Sequence, residues 1–452
     1  MKISNKRKQR ENMYTRKNTR KLKELIHGEI IYKKEGWKYI NIYGNPYQRG
    51  FAHGYLLFKE IKEIMKILPF LVKKDFKISL EKYLNICNQI IKPKIMNKYP
   101  EFYEELQGIT EGCISKGLKI NIEFLIGWNS FVSMFSYFEN NNYLKCSAFI
   151  ATGDATENGD IVMAHNTHSD FLSGNVLNIV LYITPDKGYP FVMQTSAGLI
   201  ASSSDFFICS TGMIGCETTI SSINFKPEFG SPYFCRIRQA MQYGTSIDDY
   251  LRIMLEDNAG DYACSWQFGD IKTNEISLLE IGLKEHSVRR TINGVYYGMN
   301  SVIDPIIYNN ETNDTNKFDI HYSSGARNFR LNQLLNETYY GKINIINAKK
   351  ILSDHYDVFL HKEEMNSRSI CKHSEYDEKN YSKKKYPFGC TDGKVVNSTL
   401  AKKMQFMGRF GSSCGRIFKA KEYIKKNPQY KDMKDLLHDF PKYDWVLLGN
   451  IN

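Results

Sequence analysis

The character of the chain changes at Cys146. From there on, short apolar runs follow one another: "CSAFIAT", "DIVMAHN", "NVLNIVLYI", "YPFVMQTSA", "FFICSTG" and "MIGCETTI", separated by Gly, Asn, Asp or Ser. Runs of this length and composition are strands. A second group follows at "YACSWQFGDI", "EISLLEIGL", "HSVRRTING" and "VYYGMNS". Upstream of Cys146 the pattern is helical over 49–72, over 81–106 with breaks near Pro93 and Pro100, and over the aromatic stretch 119–138. Helical signal returns over 231–255, 328–335 and 345–352, and residues 361–386 are polar enough to predict a loop or insertion. Two groups of hairpins with helices between them predict an α+β fold of stacked antiparallel sheets covered by helices. The expected division is a basic disordered tail over 1–30, a mainly helical segment over 31–145 and a core over 146–452.

Bulk properties exclude several classes. The chain has 452 residues, 42% of them apolar, which is enough for a substantial core. Much of the formal charge of +12 sits in "MKISNKRKQRENMYTRKNTRKLKE" at the start. That run lacks the apolar stretch of a secretory signal and reads as a solvated tail. Attraction to an anionic surface is its functional alternative; no nucleic-acid-binding motif follows, so nucleic acid is not expected as a partner. No run approaches the roughly 18 apolar residues of a membrane span. The ten cysteines are dispersed without a CxxC pair, so neither a zinc site nor any other cofactor is expected. The compartment is not legible. Serine-hydrolase elbow, P-loop, HExxH and dinucleotide-binding patterns are absent.

The residues that could carry chemistry each have a plainer use. Cys146 follows the polar stretch "ENNNYLK" and opens a strand, where a lone cysteine is ordinarily a small buried hydrophobe. As a nucleophile it needs a thiolate, a base and oxyanion donors. A cysteine at a new chain terminus carries its own base in the α-amine, and that requires a cut just before it. His165 and His168 in "AHNTH" lack a third metal ligand in view. Thr218 and Thr219 are hydroxyl donors or simple β-formers. Asn300 is a turn former or an oxyanion donor. Arg327 and Arg330 bind a carboxylate or form salt bridges.

Several segments taken in order resemble the phospholipase B-like (lamina-ancestor-like) family of N-terminal nucleophile hydrolases. "CSAFIATGDATENGDIVMAHNTHSDF" is similar to that family's Cys-Ser-Ala start and His-Asn-Thr-Trp cluster. "SSSDFFICSTGMIGCETTI", "DNAGDYACSWQFGD", "YYGMNSVIDPIIYNNETN", "GARNFRLNQ", "GCTDGKVVNSTLAKKMQFMGRFGSSCG" and "YDWVLLG" resemble its later segments in the same order. The resemblance implies a four-layer αββα sandwich and self-cleavage between Lys145 and Cys146. It implies Cys146 as nucleophile, Asn300 as oxyanion donor, and His165, Thr219 and Arg327 around the site. Asn166 and His168 are expected at the substrate, with His168 standing where the family has Trp. The implied substrates are phospholipids or related fatty-acyl esters and amides, and the two cleavage fragments are expected to stay associated. Two other readings remain open: a catalytically inactive descendant that binds lipid or a partner, and an uncleaved cysteine acyltransferase with His165 as base.

Overall fold

A computed structural model describes residues 26–139, 145–202, 204–228, 230–377 and 387–450. The basic tail, apart from its last five residues, and part of the polar stretch before Cys146 lie outside the described residues.

Two large sheets dominate. The first has nine strands: β1 (Gly28–Lys34), β2 (Trp37–Gly44), β5 (Ile179–Pro185), β6 (Phe191–Thr195), β7 (Phe206–Cys209), β8 (Met213–Thr219), β9 (Cys264–Asp270), β10 (Glu275–Ile281) and β11 (His286–Thr291). They lie in that order, antiparallel except where β2 runs parallel to β5. The second has six strands in the order β12 (Gly294–Gly298), β3 (Lys145–Gly153), β4 (Gly159–Asp170), β15 (Phe388–Asn397), β16 (Gln405–Phe410) and β17 (Val446–Gly449), all antiparallel. β13 (Tyr356–Asp357) and β14 (Lys362–Glu363) form a small separate hairpin.

The sheets stack face to face. Gly298 lies against Thr218 so closely that a Cβ would sit 2.1 Å from the threonine Oγ1, and Gly269 of β9 faces Ile150 and Ile161. Helices cover both outer faces. On the six-stranded sheet, Phe149, Ala151, Val162, Ala164 and Val395 pack against Leu331, Leu334, Ile351 and Leu352. Those leucines and isoleucines come from the turns around α12 (Ser323–Gln333) and α13 (Ile345–Leu352). The expected αββα architecture is therefore observed.

The other outer layer holds seven helices from upstream of Cys146: α1 (Pro46–Leu56), α2 (Phe58–Phe76), α3 (Leu80–Ile90), α4 (Lys92–Lys98), α5 (Pro100–Ser115), α6 (Ile122–Asn129) and α7 (Phe131–Tyr137). A short α8 (Phe171–Gly174) follows β4, α9 (Tyr233–Tyr243) and α10 (Ile247–Leu255) complete the layer, and α11 (Pro305–Glu311) follows β12. Asn45 caps α1 through a reciprocal capping box with Gln48. α1 and α5 cross through facing glycines: a Cβ on Gly50 would lie 2.1 Å from the Glu105 carbonyl oxygen, and one on Gly108 2.3 Å from that of Tyr47. This crossing brings Arg49 to Glu105. The Arg49 Nε donates to Glu105 Oε2 at 2.7 Å, and Arg238 of α9 donates to the same oxygen at 2.8 Å. The segment before Cys146 is thus tied to the rest by two strands of the large sheet and by a buried ion triad.

Residues 361–386, expected as a loop or insertion, are irregular over their described part apart from β14 and a short 3-10 turn. Their described part, through Asp377, is largely buried. Its polar residues bond inward: Asn366 Nδ2 and Arg368 Nε both donate to Asp357 Oδ2, and Ser367 donates its backbone N–H to Asp377 Oδ1 at 2.8 Å. Polarity here supplies an internal network rather than a solvated surface. Residues 378–386 lie outside the described residues. Among the described residues, no helix is long and apolar enough to cross a membrane.

Candidate active site

The start of β3 creates an unusual edge. β12 pairs with β3 only as far as Gly298 opposite Ala148, so the ladder position beside Cys146 falls two residues further on, at Asn300. There the chain turns out of the sheet with φ of 76°, a conformation that asparagine tolerates better than most residues. The Asn300 side chain replaces the missing strand. Its Oδ1 accepts the backbone N–H of Cys146 at 3.1 Å, and its Nδ2 donates to the Thr219 carbonyl at 3.1 Å. One amide therefore bridges the two sheets at the cysteine.

Arg327, on α12, closes the other side. Its Nη1 donates to the Cys146 carbonyl at 2.6 Å and to Ser147 Oγ at 3.1 Å. Its Nη2 donates to the Met299 carbonyl at 3.0 Å and to Asn300 Oδ1 at 2.9 Å. Such a multidentate grip needs the planar guanidinium fork. Arg330 instead pairs with Asp354 at 2.6 Å, so only the first of the two arginines reaches Cys146.

The alternation of β3 and β4 sorts the remaining candidates by face. Cys146 is paired with Thr167, and Ala148 with His165, so these side chains share the face turned to the other sheet. His165 Nε2 donates there to the Glu217 carbonyl at 3.0 Å. Asn166 and His168 fall on the opposite face. Asn166 Nδ2 donates to the Leu352 carbonyl at 2.7 Å and His168 Nε2 to the Ile370 carbonyl at 3.1 Å. The structure thus brings Cys146, His165 and Asn300 together between the sheets, with the Thr219 backbone carbonyl on Asn300 and Arg327 on the Cys146 backbone; along β8 it is the Thr218 side chain that faces this gap, while Thr219 Oγ1 turns to the other face and Tyr262. It keeps the side chains of Asn166 and His168 on the far side of the strand from the thiol. Burial holds both histidines well below their ordinary range, so both are neutral.

Several buried polar and charged residues near the thiol were not singled out in the sequence. Tyr262 hydroxyl donates to Glu217 Oε1 at 2.8 Å and meets Thr219 Oγ1 at 2.7 Å. Asp205 adjoins Glu217, and burial together with their mutual charge pushes Glu217 well up; burial raises Asp205 as well. Lys394 Nζ donates to Thr167 Oγ1 at 2.7 Å and pairs with Asp392 at 2.6 Å. Gln194 Nε2 joins them by donating to Asp392 Oδ2 at 2.8 Å. The sequence signal was present: Glu217 in "MIGCETT", and Asp392 and Lys394 in "GCTDGKVVN", are charges within fully buried strands. A charge buried in a strand needs partners, and such clusters concentrate at functional sites.

Cys146 is 2% exposed. Burial raises its thiol well above the ordinary range, with the charges of Glu217 and Asp205 adding to the effect and Lys394 opposing it. In the continuous chain the sulfur is therefore a protonated thiol. Lys145, half-buried on the other face, has its ammonium lowered to about 8 by burial and by Arg327. A different group, His355, Cys371, His373 and Cys414, converges away from this site with ligand atoms all within 4.8 Å of one another.

No known family model matches the chain. A relative, an uncharacterized protein of Archaeoglobus fulgidus, is 23% identical over 274 residues, covering 56% of this chain and 45% of that protein. The match spans less than half of the relative's length. Among solved structures, a conjugated bile acid hydrolase from Clostridium perfringens is 9% identical with a TM-score of 0.37, covering 59% of this chain and 89% of that one. Penicillin V acylase from Agrobacterium tumefaciens is 10% identical with a TM-score of 0.35, covering 58% and 82% respectively. Superposition at that level describes a distant likeness only.

Proposed function

We propose that this chain is an N-terminal nucleophile hydrolase that removes acyl groups from phospholipids or related fatty-acyl esters and amides, after cutting itself before Cys146. The observation that carries the reading is the anchoring of the Cys146 backbone nitrogen on Asn300 Oδ1 at 3.1 Å, with Arg327 gripping the adjacent carbonyl. That nitrogen becomes the catalytic base once the Lys145–Cys146 bond is broken, and it is already fixed beside its own thiol.

In maturation, the Cys146 sulfur adds to the Lys145 carbonyl carbon and the carbon–nitrogen bond breaks. The thiol proton ends on the departing nitrogen. Water then cleaves the thioester, leaving a Lys145 carboxylate and a free Cys146 thiol. In turnover, the α-amine takes the thiol proton, the sulfur attacks the substrate acyl carbon, and the proton passes to the leaving alcohol or amine. A second water frees the fatty acid. The segment before Cys146 stays in place through β1, β2 and the Arg49–Glu105–Arg238 triad.

Intact-mass measurement of the purified chain tests the first step. The expected result is a fragment beginning at Cys146 that remains bound to its partner on gel filtration. Cys146→Ala should abolish both the cut and hydrolysis of a panel of phospholipids and N-acyl amides. Turnover by a chain that stays intact would favour the uncleaved acyltransferase. An intact, inert chain that binds lipid would favour the non-catalytic descendant.

A further inference from the structure

We propose that His355, Cys371, His373 and Cys414 form a tetrahedral zinc site that pins the 353–377 segment to the loop after β16. The four residues come from three separate stretches of chain: one before β13, two within the buried part of 361–377, and one in the turn that follows β16. No local sequence spacing announces them, and only the Cys-x-His of "ICKH" hints at a ligand pair.

The distances fit the metal. His373 Nε2 lies 3.5 Å from Cys371 Sγ and 3.4 Å from Cys414 Sγ. With Zn–N near 2.0–2.1 Å and Zn–S near 2.3 Å, a regular tetrahedron places nitrogen and sulfur about 3.5 Å apart. A single ring N–H cannot serve two sulfurs, but one lone pair and two sulfurs can share a central ion. His373 is also held in the required tautomer. Its Nδ1 meets Glu375 Oε1 at 2.8 Å, the carboxylate–histidine pairing that orients metal-bound imidazoles. His355 contributes a further sign: its Nε2 is buried without a well-formed hydrogen bond, and its imidazole interacts with the Cys414 sulfur. Cys371 and Cys414 are both free thiols.

Charge closes the argument. Two thiolates and two neutral imidazoles around a divalent ion sum to zero, which suits a largely buried position. Four protein ligands leave no open position, so the site is structural rather than catalytic. Neighbouring bonds already align the strands it would join. Ser353 Oγ donates to the Ser413 carbonyl at 2.9 Å, and Ser413 Oγ to the Leu352 carbonyl at 2.7 Å. Ile370, next to Cys371, offers the carbonyl that receives Asn166 and His168, so the ion would stiffen the wall behind β4.

The test is metal analysis of the full chain, purified under reducing conditions after growth with added zinc. About one equivalent of zinc surviving dialysis is expected. Cys371→Ser and Cys414→Ser should each lower it at least tenfold, while Cys113→Ser, far from the group, should not. Because the serine variants could misfold, the wild-type chain is also titrated with a mercurial. Zinc released in step with two blocked thiols supports the site, as does a tetrahedral cobalt–thiolate spectrum after exchange with Co2+. A Cys371–Cys414 disulfide in peptide maps, a metal-free chain that takes up no Zn2+, or zinc retained by both serine variants would overturn it.

Discussion

The Asn300 side-chain amide joins the Cys146 nitrogen of one sheet to the Thr219 carbonyl of the other. Its carbonyl oxygen holds the nitrogen that maturation would free, and its NH2 group is the donor an oxyanion would need. The two jobs separate by mutation. Asn300→Ala removes both and adds the strain of a left-handed alanine, about 1 kcal/mol. It should slow cleavage and turnover roughly 100-fold. Asn300→Asp keeps the acceptor and tolerates the same backbone. If anchoring the nitrogen dominates, Asp should retain most of the maturation rate seen by mass spectrometry. If donation to the oxyanion dominates, Asp should be as slow as Ala.

Arg327 makes its contacts through a fork that lysine lacks. Arg327→Lys keeps the charge but gives up at least one of the bonds to the Cys146 carbonyl and Asn300 Oδ1. The expected result is a folded chain that matures more slowly by an order of magnitude or more. Arg330→Lys serves as the control, since Arg330 is paired with Asp354 and should mature at the wild-type rate. Equal maturation of the two variants would remove Arg327 from the site.

Layering, the strand runs and the position of Cys146 at a strand start were legible because apolar period and turn residues report local structure directly. The Cys146–Asn300–Arg327 contact was reachable only through the resemblance, since nothing in spacing brings residues 154 and 181 positions from Cys146 to it. The faces of His168 and Asn166 depend on strand register, which a lone segment does not fix. The stretch around Ile370 read as a polar loop or insertion, and its burial was not legible because its serines, Asn366 and Arg368 satisfy one another inside. The Cys371–His373–Cys414 convergence depends wholly on tertiary folding.

Among the described residues, Glu105 is the only carboxylate bonded to both Arg49 and Arg238. Burial pushes its carboxyl up, but the Arg238 and Arg49 guanidiniums outweigh that and hold it below the ordinary range. Glu105→Gln leaves the buried Arg238 without its carboxylate and Arg49 with only the more exposed Asp186 at 3.6 Å, a change of about 3–5 kcal/mol. Urea denaturation should show that loss in the uncleaved Cys146→Ala background. In the cleaved wild-type background the same substitution should let the 1–145 fragment dissociate on gel filtration. Fragments that stay together would show that β1 and β2 suffice to hold them.

His53 supplies a pH dependence with a defined sign. Its Nε2 accepts the Gly198 backbone N–H at 2.7 Å, and burial lowers its imidazole from the usual 6.5 to about 4, with Glu105 opposing and Arg238 assisting. Between those values the unfolded chain binds a proton that the native chain refuses. Stability should therefore fall as pH drops from about 6.5 to 4, by up to about 1.4 kcal/mol per pH unit for this one group. Below about 4 its contribution should level off. His53→Gln can still offer a carbonyl oxygen to Gly198 while having nothing to titrate. Its denaturation curves should lose the contribution of one proton from that acid limb. His165 and His168, also buried neutral, keep the residual slope in both proteins. An unchanged slope in His53→Gln would mean that His53 titrates alike in the folded and unfolded chains, contrary to its burial.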